Sequence, residues 1–215
     1  MTRPVLADGR TGLAGRSLSN RRPIERPVLA LLLPLALAMS VPAGATAKPF
    51  AARLPEQAAP FGDRIPASMT NYARVAPAVA TVGRLDPPGL DAARALGFRR
   101  IIDLRQADEP GVAEGAAHAA GIGLARIHLP MPAQAAAIPA FLDALVPLLD
   151  DAQGYPLLLA CGSANRAAAA WALYRARKGV PAMVAIEEGR AAGLTSREAL
   201  VREVLGLPAI TASAP

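Results

Sequence analysis

The chain has 215 residues, 53% of them hydrophobic and only 4% aromatic, which fits one domain with extensions and a core of ordinary size. Its net charge of +6 is uneven: the first 47 residues hold six arginines against Asp8 and Glu25, a net of +4, leaving +2 for the rest. That balance gives no case for nucleic acid or an anionic membrane surface as a partner, and one cysteine with two histidines rules out an internal disulfide and argues against a zinc site.

In chain order, residues 1–47 read as an export signal. A basic lead is followed by the apolar run Val28 to Met39 and the small-residue site Ala45-Thr46-Ala47. The run is short for a bilayer span. Cleavage after Ala47 is expected, giving a periplasmic or secreted protein with no stable membrane insertion. Residues 48–66, rich in Pro and Ala, read as a linker or loosely packed arm. Residues 67–208 alternate between strand and helix patterns, and 209–215 form a tail.

Within that domain Val79 to Val82 is a strand, Leu90 to Leu96 a helix stopped by Gly97, and Arg100 to Leu104 a second strand. The loop Arg105 to Gly111 follows, then a helix ending near Gly121. Leu124 to Leu129 is a third strand and Ile138 to Leu149 an amphipathic helix. The apolar run Leu157 to Ala160 is a fourth strand, and a helix runs from Arg166 to about Lys178. Pro181 opens the next helix, and Thr195-Ser196-Arg197-Glu198 has the form of a capping box before the last. This order predicts an α/β fold with a mostly parallel sheet of four to five strands and helices on both faces. In such sheets ligands sit at the carboxyl ends of the strands.

The stretch Ala160-Cys161-Gly162-Ser163-Ala164-Asn165-Arg166 lies at one such end. A loop that closes a strand and opens a helix collects unpartnered N–H groups at the positive end of the helix dipole, which suits an anion. Cys161 begins the loop and Arg166 closes it, so a thiol faces donors and a guanidinium able to grip an oxyanion. Gly162, Ser163, Ala164 and Asn165 are the candidate anion-binding residues. The Ser163 hydroxyl has two readings, facing the sulfur or capping the helix, and Asn165 is a candidate for fixing the loop's shape. The ordinary alternative is that Cys161 is a small buried hydrophobe.

Cys161 to Arg166, followed by Ala167-Ala-Ala-Ala-Trp171-Ala-Leu-Tyr174, resembles the signature of the beta-lactamase hydrolase-like phosphatase-like domains. That family is a branch of the cysteine-dependent phosphatase superfamily. The resemblance runs from about Asn71 to Leu205 and takes in Asn71 to Val75, Ala80 to Gly83, Gly97 to Arg105, Glu109-Pro110-Gly111 and Gly193 to Ser196. It implies a protein tyrosine phosphatase-like fold and hydrolysis of phosphate monoesters, with phosphotyrosine among the candidates. Cys161 would be the nucleophile, Arg166 the oxyanion ligand and a cysteinyl-phosphate the intermediate, with no metal or organic cofactor. The expected partner is a phosphorylated protein or small molecule. The sequence departs from the family at Ala160, where His is usual, and at Ala164, where Gly is usual. The superfamily's acid, an Asp after a Pro on a mobile loop, has no counterpart in Leu129-Pro130-Met131-Pro132, which leaves Asp108 and Glu109 as candidate general acids. The four residues between Cys161 and Arg166 also resemble the shorter loop of rhodanese-type sulfurtransferases. Persulfide transfer on Cys161, and a catalytically weak anion-binding module, are the alternative readings.

Overall fold

A computed structural model describes residues 58–210. The export signal, the cleavage site after Ala47, the start of the linker and the end of the tail lie outside the described residues. Five strands form one sheet: β1 (Ala73–Ala76), β2 (Val79–Val82), β3 (Arg100–Asp103), β4 (Ala125–His128) and β5 (Leu157–Ala160). Their order across the sheet is β1-β2-β5-β3-β4. β1 and β2 form an antiparallel hairpin, and β2, β5, β3 and β4 are parallel.

The register aligns the site. Val82 and Asp103 both pair with Ala160, so β2 and β3 end level with the central strand, one residue before Cys161. Every residue of β2 and of β5 is buried. Successive side chains point to opposite faces, and the core divides accordingly. Leu157, Leu159 and Cys161 belong to the cluster with α3 (Ile138–Asp150), α4 (Asn165–Arg177), α5 (Ala182–Ala191) and α6 (Glu198–Val204). Leu158 and Ala160 belong to the cluster with α1 (Pro87–Ala95) and α2 (Val112–Gly121). A strand covered on both faces reads as a continuous apolar run, which is why β5 was legible.

The sheet has five strands, within the expected four to five, and three other expectations are corrected. An additional strand, β1, stands at the edge; its residues are all half-buried and carry no alternation. Residues 58–66 belong to the folded unit rather than to the linker expected there: Ala59 is buried and donates its N–H to Pro77 O at 2.8 Å, and Pro60 O accepts from Tyr72 Oη at 2.6 Å. The capping box before α6 does not form, because the cap residue is Arg197 and the Glu198 carboxylate turns to Arg190 and Arg202. Helix α4 begins at Asn165, one residue before the expected start, and runs to Arg177.

Candidate active site

The loop between β5 and α4 is built from both ends. At its start Cys161 continues the sheet, donating its N–H to Val82 O at 3.3 Å. At its end the first bond of the α4 ladder runs from Ala168 N to Ala164 O at 2.8 Å. The N–H groups of Asn165, Arg166 and Ala167 therefore precede the ladder and form the positive end of the helix. Ala164 makes the reversal, in the left-handed region at φ 67° and fully buried. A residue with a Cβ pays roughly 1–2 kcal/mol there, so the surrounding packing holds it in place.

Three neighbours hold the loop's shape. Gly83, just past β2, forms an isolated bridge with Ser163. It is also wedged against Thr70, whose Oγ1 would lie 2.9 Å from an added Cβ. Asn71, another non-glycine residue in the left-handed region at φ 54°, donates Nδ2 to Ser163 O at 3.4 Å. Asn165 reaches the turn before α6: its Oδ1 accepts from Thr195 N at 2.9 Å and from Arg197 N at 3.3 Å, and its Nδ2 donates to Ser196 Oγ at 2.7 Å. Asn165 thus ties the first residue of α4 to the turn before α6. Ser163 is exposed, and no side chain caps α4.

The Arg166 fork is engaged by the protein itself. Its Nη1 and Nη2 donate to the two carboxylate oxygens of Glu109, the second at 2.6 Å, and Gln106 N donates to Glu109 Oε1 at 2.6 Å. A Cβ on Gly162 would stand 3.3 Å from Arg166 Nη2 and 3.9 Å from Glu109 Oε2. The pair therefore lies against the start of the cysteine loop, and any side chain at Gly162 would press on the Arg166 guanidinium. The Arg166 hydrogen bond, which outweighs burial, holds the Glu109 carboxyl below its ordinary range. Arg166 is held more firmly protonated than usual, first by Glu109, with Cys161 close enough to add to the effect. Cys161 itself is 1% exposed. Guanidinium offers five N–H donors, so the two on Glu109 leave others on the remaining edges of the group.

The loop that carries Glu109 is pinned in turn. Asp103, at the end of β3, accepts from Arg105 N, Nε and Nη2 and from Arg126 Nη2, the last two at 2.7 Å. Asp103 and Arg105 are 2% and 3% exposed. Burial pushes the Asp103 carboxyl up, and the bonds from Arg105 and Arg126 more than reverse this, leaving it below the usual carboxylate range. Arg105 Nη1 donates to Pro110 O at 3.2 Å, and Gln106 Nε2 donates to Met131 O at 2.9 Å.

Of the residues singled out from sequence, Cys161, Gly162, Ser163, Ala164, Asn165, Arg166 and Glu109 come together. Asp108 does not: it sits exposed at the corner of the turn closed by Glu109 N to Gln106 O. Glu109 lies beside Arg166 as its carboxylate partner. Sequence reasoning assigned no role to Asn71, Gly83 or Gln106. Asn71 and Gly83 lay inside the quoted resemblance, but their contacts with Ser163 had no local signal.

No protein-family model matches the chain, and no curated protein matches it. Solved structures do. A candidate phosphatase of the DUF442 group from Shewanella putrefaciens superposes with a TM-score of 0.52 at 18% identity, over 64% of this chain and 93% of that one. A candidate phosphatase from Neisseria meningitidis gives 0.52 at 22% identity, over 62% and 96%. The catalytic core of the PP-IP phosphatase Siw14 from S. cerevisiae gives 0.52 at 13% identity, over 64% and 85%.

The fold is that of these phosphatases, a tyrosine phosphatase-like α/β fold. At these identities the likeness is one of fold. Within the phosphatase-like fold of this chain, the strand-loop-helix unit from Leu157 to Arg177 carries the only cysteine of the sequence at the carboxyl end of the central strand.

Proposed function

We propose that this protein is an exported cysteine-dependent hydrolase of phosphate monoesters. The observation that carries the reading is the bracketing of one strand-to-helix loop by Cys161 and an Arg166 whose guanidinium is already oriented beside it by Glu109. In this reading the Cys161 thiolate attacks phosphorus in line. The S–P bond forms as the P–O bond to the leaving group breaks. Arg166 and the first N–H groups of α4 stabilise the charge on the equatorial oxygens. Water then attacks the cysteinyl-phosphate, releasing phosphate and returning the electron pair to sulfur. The substrate is a phosphorylated protein or small molecule, and the export signal directs the enzyme to the periplasm or beyond.

The test is phosphate release from nitrophenyl phosphate by the signal-free protein, with iodoacetamide labelling of Cys161 in parallel. Turnover is expected, abolished in Cys161→Ser and reduced at least about a hundredfold in Arg166→Ala. Vanadate is expected to slow labelling. Full turnover by Cys161→Ser would end the proposal. Addition of sulfur to Cys161 from thiosulfate, without phosphate release, would replace it with persulfide transfer.

A further inference from the structure

Beside the Cys161 loop lies a cavity of about 380 Å³, the size of a small-molecule site. One wall is Ser163 of the loop itself. The others include Asn71 and Tyr72 before β1, Ala191 at the end of α5, and Gly193 and Thr195 in the turn before α6. Strand order sets the side on which it opens: β3, from which the Glu109 loop runs, and β1 lie on opposite sides of β5. The Arg166–Glu109 pair therefore stands on one side of the cysteine loop and the cavity on the other. Gly193, at φ 99°, brings the far wall onto the loop, since a Cβ there would stand 3.5 Å from that of Ala164. The lining is polar and uncharged. Ser163 and Thr195 are held through backbone atoms, Ser163 O accepting from Asn71 Nδ2 at 3.4 Å and Thr195 N donating to Asn165 Oδ1 at 2.9 Å. Both residues are exposed, and their hydroxyls face the cavity's contents as donors and acceptors. The Asn71 carboxamide adds an acceptor oxygen. Tyr72 has its hydroxyl on Pro60 O at 2.6 Å and so contributes its ring.

We propose that this cavity is the subsite for the alcohol part of the substrate and that it takes a sugar or polyol, so that the enzyme acts on small phosphate monoesters of that class. The inference rests on the phosphatase reading and deepens it: Cys161 and Arg166 act on the phosphoryl group, and the cavity receives what that group is attached to. Solvent on Asn71, Ser163 and Thr195 is displaced as substrate enters. A sugar replaces those hydrogen bonds with its own hydroxyls, and its C–H groups pack on the Tyr72 ring. An aryl or alkyl group displaces the same solvent and restores none of the bonds. A second phosphate or a carboxylate meets no charged side chain on the lining to offset its own loss of water.

The experiment compares glucose 6-phosphate, ribose 5-phosphate and glycerol 3-phosphate with hexyl, pentyl and propyl phosphate, each an ester of a primary alcohol. Two quantities are read for every pair: kcat/KM for phosphate release, and protection of Cys161 from iodoacetamide, which needs no turnover. The hydroxylated member is expected to be preferred by about tenfold or more in both, the worth of one or two hydrogen bonds. That preference should fall about tenfold in Thr195→Val, which keeps the backbone N–H on Asn165. It should vanish in Ala191→Phe, which fills the cavity from the end of α5. Equal values for sugar and alkyl members in the wild type, or a preference that both variants leave intact, would overturn the inference. So would a phosphotyrosine peptide that protects Cys161 at a lower concentration than any sugar phosphate, which would put a protein in the site. A protein that releases phosphate from none of these nor from nitrophenyl phosphate, and whose Cys161 is not protected by vanadate, would instead fail the underlying phosphatase reading.

Discussion

Glu109 and Arg166 are 57 positions apart in sequence, and their pairing governs the site. The carboxylate is less than one-third exposed, and Arg166 holds its pKa below the ordinary glutamate range. In acid the unfolded chain takes up this proton before the folded one does. The pair's stabilisation is therefore complete above the unfolded glutamate value, roughly 4.3, and is lost as pH falls through the lower folded value. Glu109→Gln is expected to lower stability by about 1 kcal/mol at neutral pH. The gap to wild type should close below the ordinary glutamate range, as read from urea midpoints at a series of pH values. A gap that persists unchanged in acid would mean that the loss comes from packing and not from charge. The sequence showed both residues but not the bond between them. A glutamate on a solvated loop looks the same whether it serves as a proton donor or as an arginine's partner.

At the scale of elements, burial accounts for part of what was legible, though β4, with no fully buried residue, was also read, from the Leu124 to Leu129 pattern. β5 was visible because a strand buried on both faces gives an unbroken apolar run, Leu157 to Ala160, while β2 and β3 were read from the β-branched residues Val79, Val82, Ile101 and Ile102. β1 was not, since Ala73-Arg74-Val75-Ala76 is half-buried throughout and its place was set by pairing with β2. The capping box failed for a similar reason. Glu198 has two arginines within reach, and hydrogen bonds between charged groups outcompete one to a backbone N–H. Asn165 does the local work instead, bracing the turn at Thr195 to Arg197 from the first residue of α4. Asn165→Ala would leave two backbone donors without that acceptor, and a loss of about 1–2 kcal/mol is expected. The same variant should bind vanadate more weakly, measured by its protection of Cys161. Unchanged protection, despite the lost stability, would show that the loop keeps its form without the brace.

Across the whole molecule, the two core clusters meet at the sheet, and α4 lies inside the larger one. Ala167 to Leu173 are all buried, and α4 packs on β2, α3, α5 and α6. The segment bearing Glu109 is the opposite: Gln106, Ala107, Asp108 and Pro110 are exposed on a loop secured by a few polar bonds. In deuterated solvent these two halves of one ion pair should keep different time. Backbone amides in the middle of α4 would exchange only with global unfolding, and those around Asp108 on opening of the loop alone. Arg166 is then the fixed member and Glu109 the moving one. An oxyanion entering the site would meet an arginine that stays where the core has put it, while the carboxylate beside it adjusts.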